Sequence, residues 1–316
     1  MRGTGKTARN AEFLLLLLLG ILWGIPYALT KISLATIPPL TMVAARVSLA
    51  AAVLWVVVFM SSRKRPKRAD FVRRLFVQGC LSCLFPYTLI TIGQRSVDSA
   101  LAAILNSTTP LFVFFISLVW TRHEAISPGK LFGVSIGIAG VVLLAGTGAL
   151  LGLGQAAFGQ AAIILATVAS AISVIHGRRF DDVAPEITAA GTLTSAAVVL
   201  LPLSFLIERP FQSEPSMASI VALLANAFLA TALGFVLYFR LIQTIGSVGT
   251  ASVGYLKLAV AVLIGCVLMG EVLTWTMVAG LLGILLGVAT INERGFSVPS
   301  WLVSRRASRA SDSPIG

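Results

Sequence analysis

Acidic residues and histidines are scarce in this sequence, and their positions exclude more than their number does. There are 12 Asp and Glu and two His among 316 residues. None of the carboxylates lies deep inside a long apolar run. A buried Asp, Glu or His is the usual relay of proton- and cation-driven membrane processes, so coupling through such a group is disfavoured here. His123 and His176 fall at the ends of apolar runs and read as interfacial. A membrane enzyme would need paired acids, an H-E-x-x-H motif or a soluble catalytic domain, and the chain has none of these. Cysteine is rare as well. Cys80, Cys83 and Cys266 all sit in apolar runs, and the C-x-x-C they include lacks the further ligands a zinc site requires. They read as packing residues, with no metal and no cofactor implied.

What the chain does have is oil-soluble surface. It is 57% hydrophobic and 11% charged, with a mean hydropathy of +0.94, whereas a soluble domain is about 25% charged. A membrane span takes about 20 apolar residues, and ten such segments can be counted: 13–35, 40–61, 72–94, 99–120, 128–147, 158–176, 187–207, 217–240, 246–269 and 273–292. Each must satisfy its own backbone hydrogen bonds in lipid, so helices are expected. The predicted class is an all-α membrane protein with ten transmembrane helices.

The net charge of +12 does not indicate nucleic acid as a partner, because the basic residues are sorted by loop. With the N-terminus inside, inner loops and tails hold 19 of the 24 Lys and Arg, including the run 63-RKRPKR-68, and outer loops hold only Arg95 and Arg209. This bias sets both termini on the cytoplasmic side and points the basic runs at anionic lipid headgroups. The remaining cations, Lys31, Arg46 and Lys257, lie within spans. Lys31 and Arg46 are near enough to the outer face to snorkel. Lys257 is not.

Two features near the start mislead. The stretch GTGKT imitates a phosphate-binding loop, but its first glycine would precede Met1 and no strand leads into it. The run FLLLLLLG imitates a secretory signal, but the apolar stretch continues through 21-ILWGIPYAL-29 without a small-x-small cleavage site. It reads as the first span.

Shifting the chain by 147 residues lays Glu124 on Glu271, Ser127 on Thr274, Gly133 on Gly280 and Gly140 on Gly287. Residues 11–147 and 158–292 therefore read as two copies of a five-helix unit, joined by a short Gly-rich linker and followed by a basic cytoplasmic tail, 293–316. An odd number of spans inverts the second copy. Inverted repeats are the architecture of secondary transporters, with the substrate near the midplane between them. Small-residue seams at Gly20/Gly24, Gly133/Gly137 and Gly283/Gly287 suit close helix packing within each copy.

Lys257 sits in 253-VGYLKLAVAVLIG-265. A charge at the centre of a span costs about 2.5–3.5 kcal/mol on insertion scales. The nearest acid in its own segment, Glu271, is 14 residues away, about 21 Å along an ideal helix. Three readings remain: an anion site in a wet cavity, solvation by carbonyls or water, or a neutral lysine in an apolar pocket. The first is preferred. Trp23, Tyr27, Tyr87, Asn106, Thr109, Asn226 and Tyr255 are the other candidate substrate-binding residues. For Asn106 and Asn226 an interhelical hydrogen bond competes with that role. Pro110, Glu124, Glu271, Lys31 and Arg46 are candidates for gating or structural roles.

The pieces 22-LWGIPYALTKISL-34, 45-ARVSLAAAVLW-55, 99-SALAAILNSTTPLF-112, 124-EAISPGKLFGVSIGIAG-140 and 271-EVLTWTMVAGLLGILLG-287 resemble the EamA type of the drug/metabolite transporter superfamily over nearly the whole chain. The resemblance implies ten helices in two inverted repeats, a central cavity lined by spans 1, 3, 4, 6, 8 and 9, and movement of small metabolites, often amino acids and often outward. One position departs. Where the family has a proline in the ninth span this chain has Leu258, preceded by Lys257. The sugar-phosphate branch resembles it there, with a lysine that meets phosphate, followed by Arg or Thr rather than leucine. The expectation is a multi-pass transporter of the cytoplasmic membrane exporting an amino acid or organic anion by alternating access. The alternatives are a phosphorylated-sugar or nucleotide-sugar exchanger, or a lipid flippase. The expected partners are a small-molecule substrate and membrane lipid, with homodimer formation open.

Overall fold

The computed structural model describes residues 4–61, 69–116, 132–133, 135–140, 142–143, 155–180, 183–251 and 253–291. Glu124, the side chains of Pro110 and Tyr255, and the tail beyond 291 lie outside the described residues. Among the described residues every regular element is helical. The helices are α1 (Thr4–Gly24), α2 (Pro26–Ser33), α3 (Pro39–Met60), α4 (Ala69–Gly79), α5 (Phe85–Gly93), α6 (Ser99–Asn106), α7 (Thr109–Ile116), α8 (Gln155–Gly177), α9 (Pro185–Ile207), α10 (Met217–Ala225), α11 (Gly234–Ala251), α12 (Val253–Met269) and α13 (Trp275–Ile291). Six continuous runs are long and apolar enough to cross a membrane: Glu12–Ser33, Pro39–Met60, Asp70–Gly93, Ala156–Gly177, Pro185–Ile207 and Met217–Leu241. Ser99–Val113, Leu256–Met269 and Trp275–Leu286 are shorter apolar helices. The chain is a multi-pass membrane protein.

Side-chain caps tie the loops into two ends. At one end Glu208 accepts from Leu40 N (3.0 Å) and from Thr41 N (2.7 Å), at the start of α3. Glu271 does the same for Ser99 N (2.8 Å) and Ala100 N (2.7 Å), at the start of α6. Each carboxylate occupies two backbone donors that a helix start leaves open, on the side where the helix dipole favours negative charge. We call this the capped end. Thr36, Ser216 and Ser219 interlink there as well. At the opposite end Phe71 meets Phe180, and Gln243 donates to Val183 O.

Close approach depends on glycine and alanine. In lipid there is no hydrophobic drive between helices, so small residues that admit a neighbouring backbone matter more. A Cβ on Gly20 would stand 2.5 Å from Leu256 Cβ, and one on Gly24 would stand 2.6 Å from Val260 Cβ and 2.8 Å from the Lys257 carbonyl. The Gly20/Gly24 seam, expected to pack within residues 11–147, instead seats α1 directly on α12. Gly140 and Gly283 touch in the same way, and a Cβ on Gly140 would lie 2.7 Å from the Gly280 carbonyl. The largest core cluster packs Ala44, Val47 and Ala51 of α3 with Ala190, Leu193 and Ala197 of α9. Gly24→Leu is expected to force α1 off α12 and lower the melting temperature in detergent, an overpacking cost of about 1–3 kcal/mol; an unchanged melt would mean that the seam is not tight.

Three spans, α3, α8 and α9, are uninterrupted, and others are irregular in their middles. The run Asp70–Gly93 widens to a π segment at Cys80–Leu84, just before Pro86, and the run Met217–Leu241 widens at Asn226–Leu233. The stretch Ser99–Val113, the expected fourth span, breaks at Ser107 and Thr108, ahead of Pro110. Non-helical backbone at membrane depth is tolerated where protein or a cavity surrounds it, and π segments often mark functional sites.

Candidate functional site

The break in the fourth span is built by its own side chains. Ser107, Thr108 and Thr109 donate their hydroxyl protons back to the carbonyls of Ile104 (2.6 Å), Leu105 (2.7 Å) and Asn106 (2.7 Å). Proline brings no N–H, and these hydroxyls serve carbonyls that a continuous helix would have paired. Thr109 was expected to meet substrate, and its proton is committed to Asn106 O. The arrangement ends α6 with the Asn106 side chain, 5% exposed, turned into the bundle.

Asn106 Oδ1 accepts from Lys257 Nζ (2.9 Å) and from Tyr27 OH (3.0 Å). Two donors on one oxygen fix the amide's orientation. Its Nδ2 donates to Thr167 Oγ1 (3.4 Å), whose own proton goes to Ile163 O. Four spans thus meet at one asparagine, and two of its three partners, Lys257 and Tyr27, arrive through the α1–α12 packing already described. The Gly20/Gly24 seam holds α12 against α1, bringing Lys257 and Tyr27 to the same side. Gln94 and Ser99 both donate to the Tyr27 carbonyl (2.9 and 3.3 Å), which anchors α2 to the third and fourth spans. Lys257 has a neutral amide oxygen as its partner, not a carboxylate.

Arg46 corrects an expectation. It does not snorkel; it is 6% exposed. Its Nε donates to Thr231 Oγ1 (2.6 Å) and its guanidinium lies 4.0 Å over the Tyr87 ring. A hydroxyl and an aromatic face hold the cation inside, so it has no need to reach the surface. Thr231 passes its proton to Asn226 O (2.9 Å), an i to i−5 contact that the π segment permits. Asn226 is wholly buried and donates to Thr30 Oγ1 (3.2 Å), the interhelical bond considered for it; its Oδ1 has no protein partner. Tyr27 and Thr30, one turn apart on α2, join the two groups: Tyr27 donates to Asn106 Oδ1 and Thr30 accepts from Asn226. Neither Lys257 nor Arg46 forms an ion pair among the described residues.

The other candidates separate from this centre. Lys31 is near the capped end, its side chain 30% exposed, donating to Val97 O (3.1 Å) and paired with Asp98 (3.4 Å). Trp23 donates to Ala230 O (3.1 Å) in the π segment and packs with Phe235 and Tyr238 over Gly234. A cavity of about 400 Å³ opens at the capped end, lined by residues 34–39, Arg95 and Glu208. Neither Lys257 nor Arg46 lines it, so the polar centre is not open to that cavity in this conformation. Sequence reasoning missed Glu208, Gln94, Thr167 and Thr231. It also missed Gly265, where a Cβ would stand 2.6 Å from Glu271 Oε2; that bare position leaves room for the cap.

Glu271→Ala is expected to leave Ser99 N and Ala100 N without acceptors. Each lost partner costs about 1–3 kcal/mol where water cannot replace it, so the melting temperature falls, while Glu271→Gln, keeping one acceptor, loses less. Equal melts for both variants and the native protein would remove the cap from the fold's support.

Comparison with known proteins decides the class. The model of the EamA-like transporter family matches the chain twice, over residues 10–146 and 157–293. The chain belongs to the EamA-like transporter family. This transporter is similar to the uncharacterized transporter YoaV of Bacillus subtilis, 26% identical over 271 residues that cover 85% of this chain and 92% of YoaV. It is similar also to the uncharacterized inner membrane transporter YedA of Escherichia coli, 27% identical over 257 residues, 80% of this chain and 81% of YedA. A solved structure described as "Crystal structure of protein" shares the fold, with a TM-score of 0.62 at 18% identity, covering 90% of this transporter and 98% of that chain. The protein is a transporter, not an enzyme.

Proposed function

We propose that the transporter moves a small organic metabolite bearing a negative group, an amino acid or organic acid, across the cytoplasmic membrane by alternating access. The observation that carries this reading is the state of the two deep cations. Lys257 rests on an amide oxygen and Arg46 on a hydroxyl and a ring, with no carboxylate among the described residues to neutralise either. Uncompensated charge inside a bilayer is costly and marks substrate or ion pathways. An anionic substrate supplies the missing charge.

In this reading the ten expected spans form two inverted five-helix repeats with both termini in the cytoplasm. The two family-model matches support the division, since each covers five of the expected spans. The polar centre draws on both halves, Tyr27, Arg46 and Asn106 from one and Thr167, Thr231 and Lys257 from the other. Rocking of the halves would expose it to each side in turn. The family resemblance points outward, toward export.

The test is a thermal-stability screen of the purified protein against amino acids, amines, carboxylates and phosphate esters, run in parallel on Lys257→Met. A ligand that binds only the native state raises the melting temperature. Anions should stabilise the native protein and not the variant. Amines stabilising both proteins alike, with anions inert, would reject the reading.

A further inference from the structure

Arg46 carries more hydrogen-bonding capacity than its surroundings use. A guanidinium has five N–H donors. Nε is taken by Thr231, and the Tyr87 ring covers one face. The four Nη protons have no protein acceptor among the described residues, although the side chain is more than nine-tenths buried. Such a fork matches the two oxygens of a carboxylate. Lys257 is a different kind of cation, a point charge already steadied by Asn106 with two ammonium protons to spare. The two are joined through α2: Tyr27 donates to the asparagine that holds Lys257, and one turn on Thr30 accepts from Asn226, whose carbonyl holds the threonine bonded to Arg46.

We infer that the site has two anion seats, a forked one at Arg46 and a point-charge one at Lys257, and therefore selects a substrate with two separated carboxylates over one with a single acidic group. This rests on the anion reading above and narrows it. Arg46 is the specificity-determining residue: with Lys257 alone, mono- and dicarboxylates would be held alike, and the second seat separates them.

The full-length protein in detergent is titrated at constant ionic strength with malonate, succinate, glutarate and adipate. Acetate, butyrate and inorganic phosphate serve as comparisons, and the melting temperature is the readout. One member of the dicarboxylate series should bind about 10- to 100-fold more tightly than the monocarboxylates, the range for an added hydrogen-bonded charge contact. In Arg46→Met that ratio should fall close to one, and Arg46→Lys should recover only part of it, because a point charge replaces a fork. Monocarboxylates binding as tightly as every dicarboxylate in the native protein would overturn the two-seat inference and leave the anion reading standing. So would an Arg46→Met protein that keeps the ratio. Should that variant fail to fold, the ratio in the native protein and in Arg46→Lys still decides. Phosphate outcompeting the whole series would replace two seats by one dianion seat. If no anion stabilises the native protein, both readings fall together.

Discussion

Replacing Lys257 by methionine should reduce anion transport by roughly 30- to 4,000-fold while leaving a folded, membrane-inserted protein. The range follows from the cost of removing one partner of a desolvated, hydrogen-bonded charge pair, about 2–5 kcal/mol. Methionine keeps most of the lysine's length and volume, so the α1–α12 seam at Gly20 and Gly24 is undisturbed. What is lost is the ammonium on Asn106 Oδ1. The Tyr27 hydroxyl stays on that oxygen, so the asparagine is not orphaned. Flux is measured in proteoliposomes, with protein content and melting temperature checked alongside. A variant that is well folded and fully active would show that Lys257 has no part in binding.

Asn106 separates fold from function more sharply. Asn106→Leu removes the acceptor of both Lys257 and Tyr27 and leaves a buried cation without a partner. Breaking a buried charge contact in this way costs about 3–5 kcal/mol, so the melting temperature should drop steeply. Asn106→Asp does the reverse. It places a carboxylate where an amide oxygen now stands 2.9 Å from Lys257 Nζ, creating the internal counter-ion that the native chain lacks. That variant should melt no lower than the native protein without ligand, and should lose anion-dependent stabilisation because the seat is already filled. If Asn106→Asp still binds anions with native affinity, Lys257 is not the seat.

Much of this fold could be read from the sequence, because bilayer physics writes itself in long apolar runs. Where the structure describes those runs they are helical, and Gly20 and Gly24 do make a close helix contact, but with α12 from the 158–292 unit rather than within the 11–147 unit. Lys257, Asn106 and Tyr27 were each singled out, though nothing in the sequence put them in one hydrogen-bonded group. Their meeting depends on two long-range packings, α1 on α12 and the fourth span on α8, which residue spacing does not encode. Arg46 was misplaced for a comparable reason. Its distance from the helix start suggested the surface, and the partner that holds it inside lies 185 residues away. Thr231 had no signal at all. Five residues apart on an α-helix, Asn226 and Thr231 would point about 140° apart; only the π segment brings the threonine hydroxyl onto the Asn226 carbonyl. Glu208 was passed over because a carboxylate at a loop looks like solvated surface, whereas here it closes the start of another helix. The hydroxyls of Ser107, Thr108 and Thr109, which in sequence look like a binding surface, send their protons to the local backbone ahead of Pro110.

The most direct measurement is exchange of a radiolabelled dicarboxylate across proteoliposomes, with native protein and Lys257→Met reconstituted at equal density. With succinate, glutarate or adipate trapped inside and the same labelled acid outside, the native transporter should load the vesicles saturably. Unlabelled acid should chase the label out, and Lys257→Met should fall to the level of empty liposomes. Vesicles that exchange amines or neutral metabolites but not acids, or a Lys257→Met variant that exchanges at the native rate, would contradict an anion site at the Lys257–Asn106 centre.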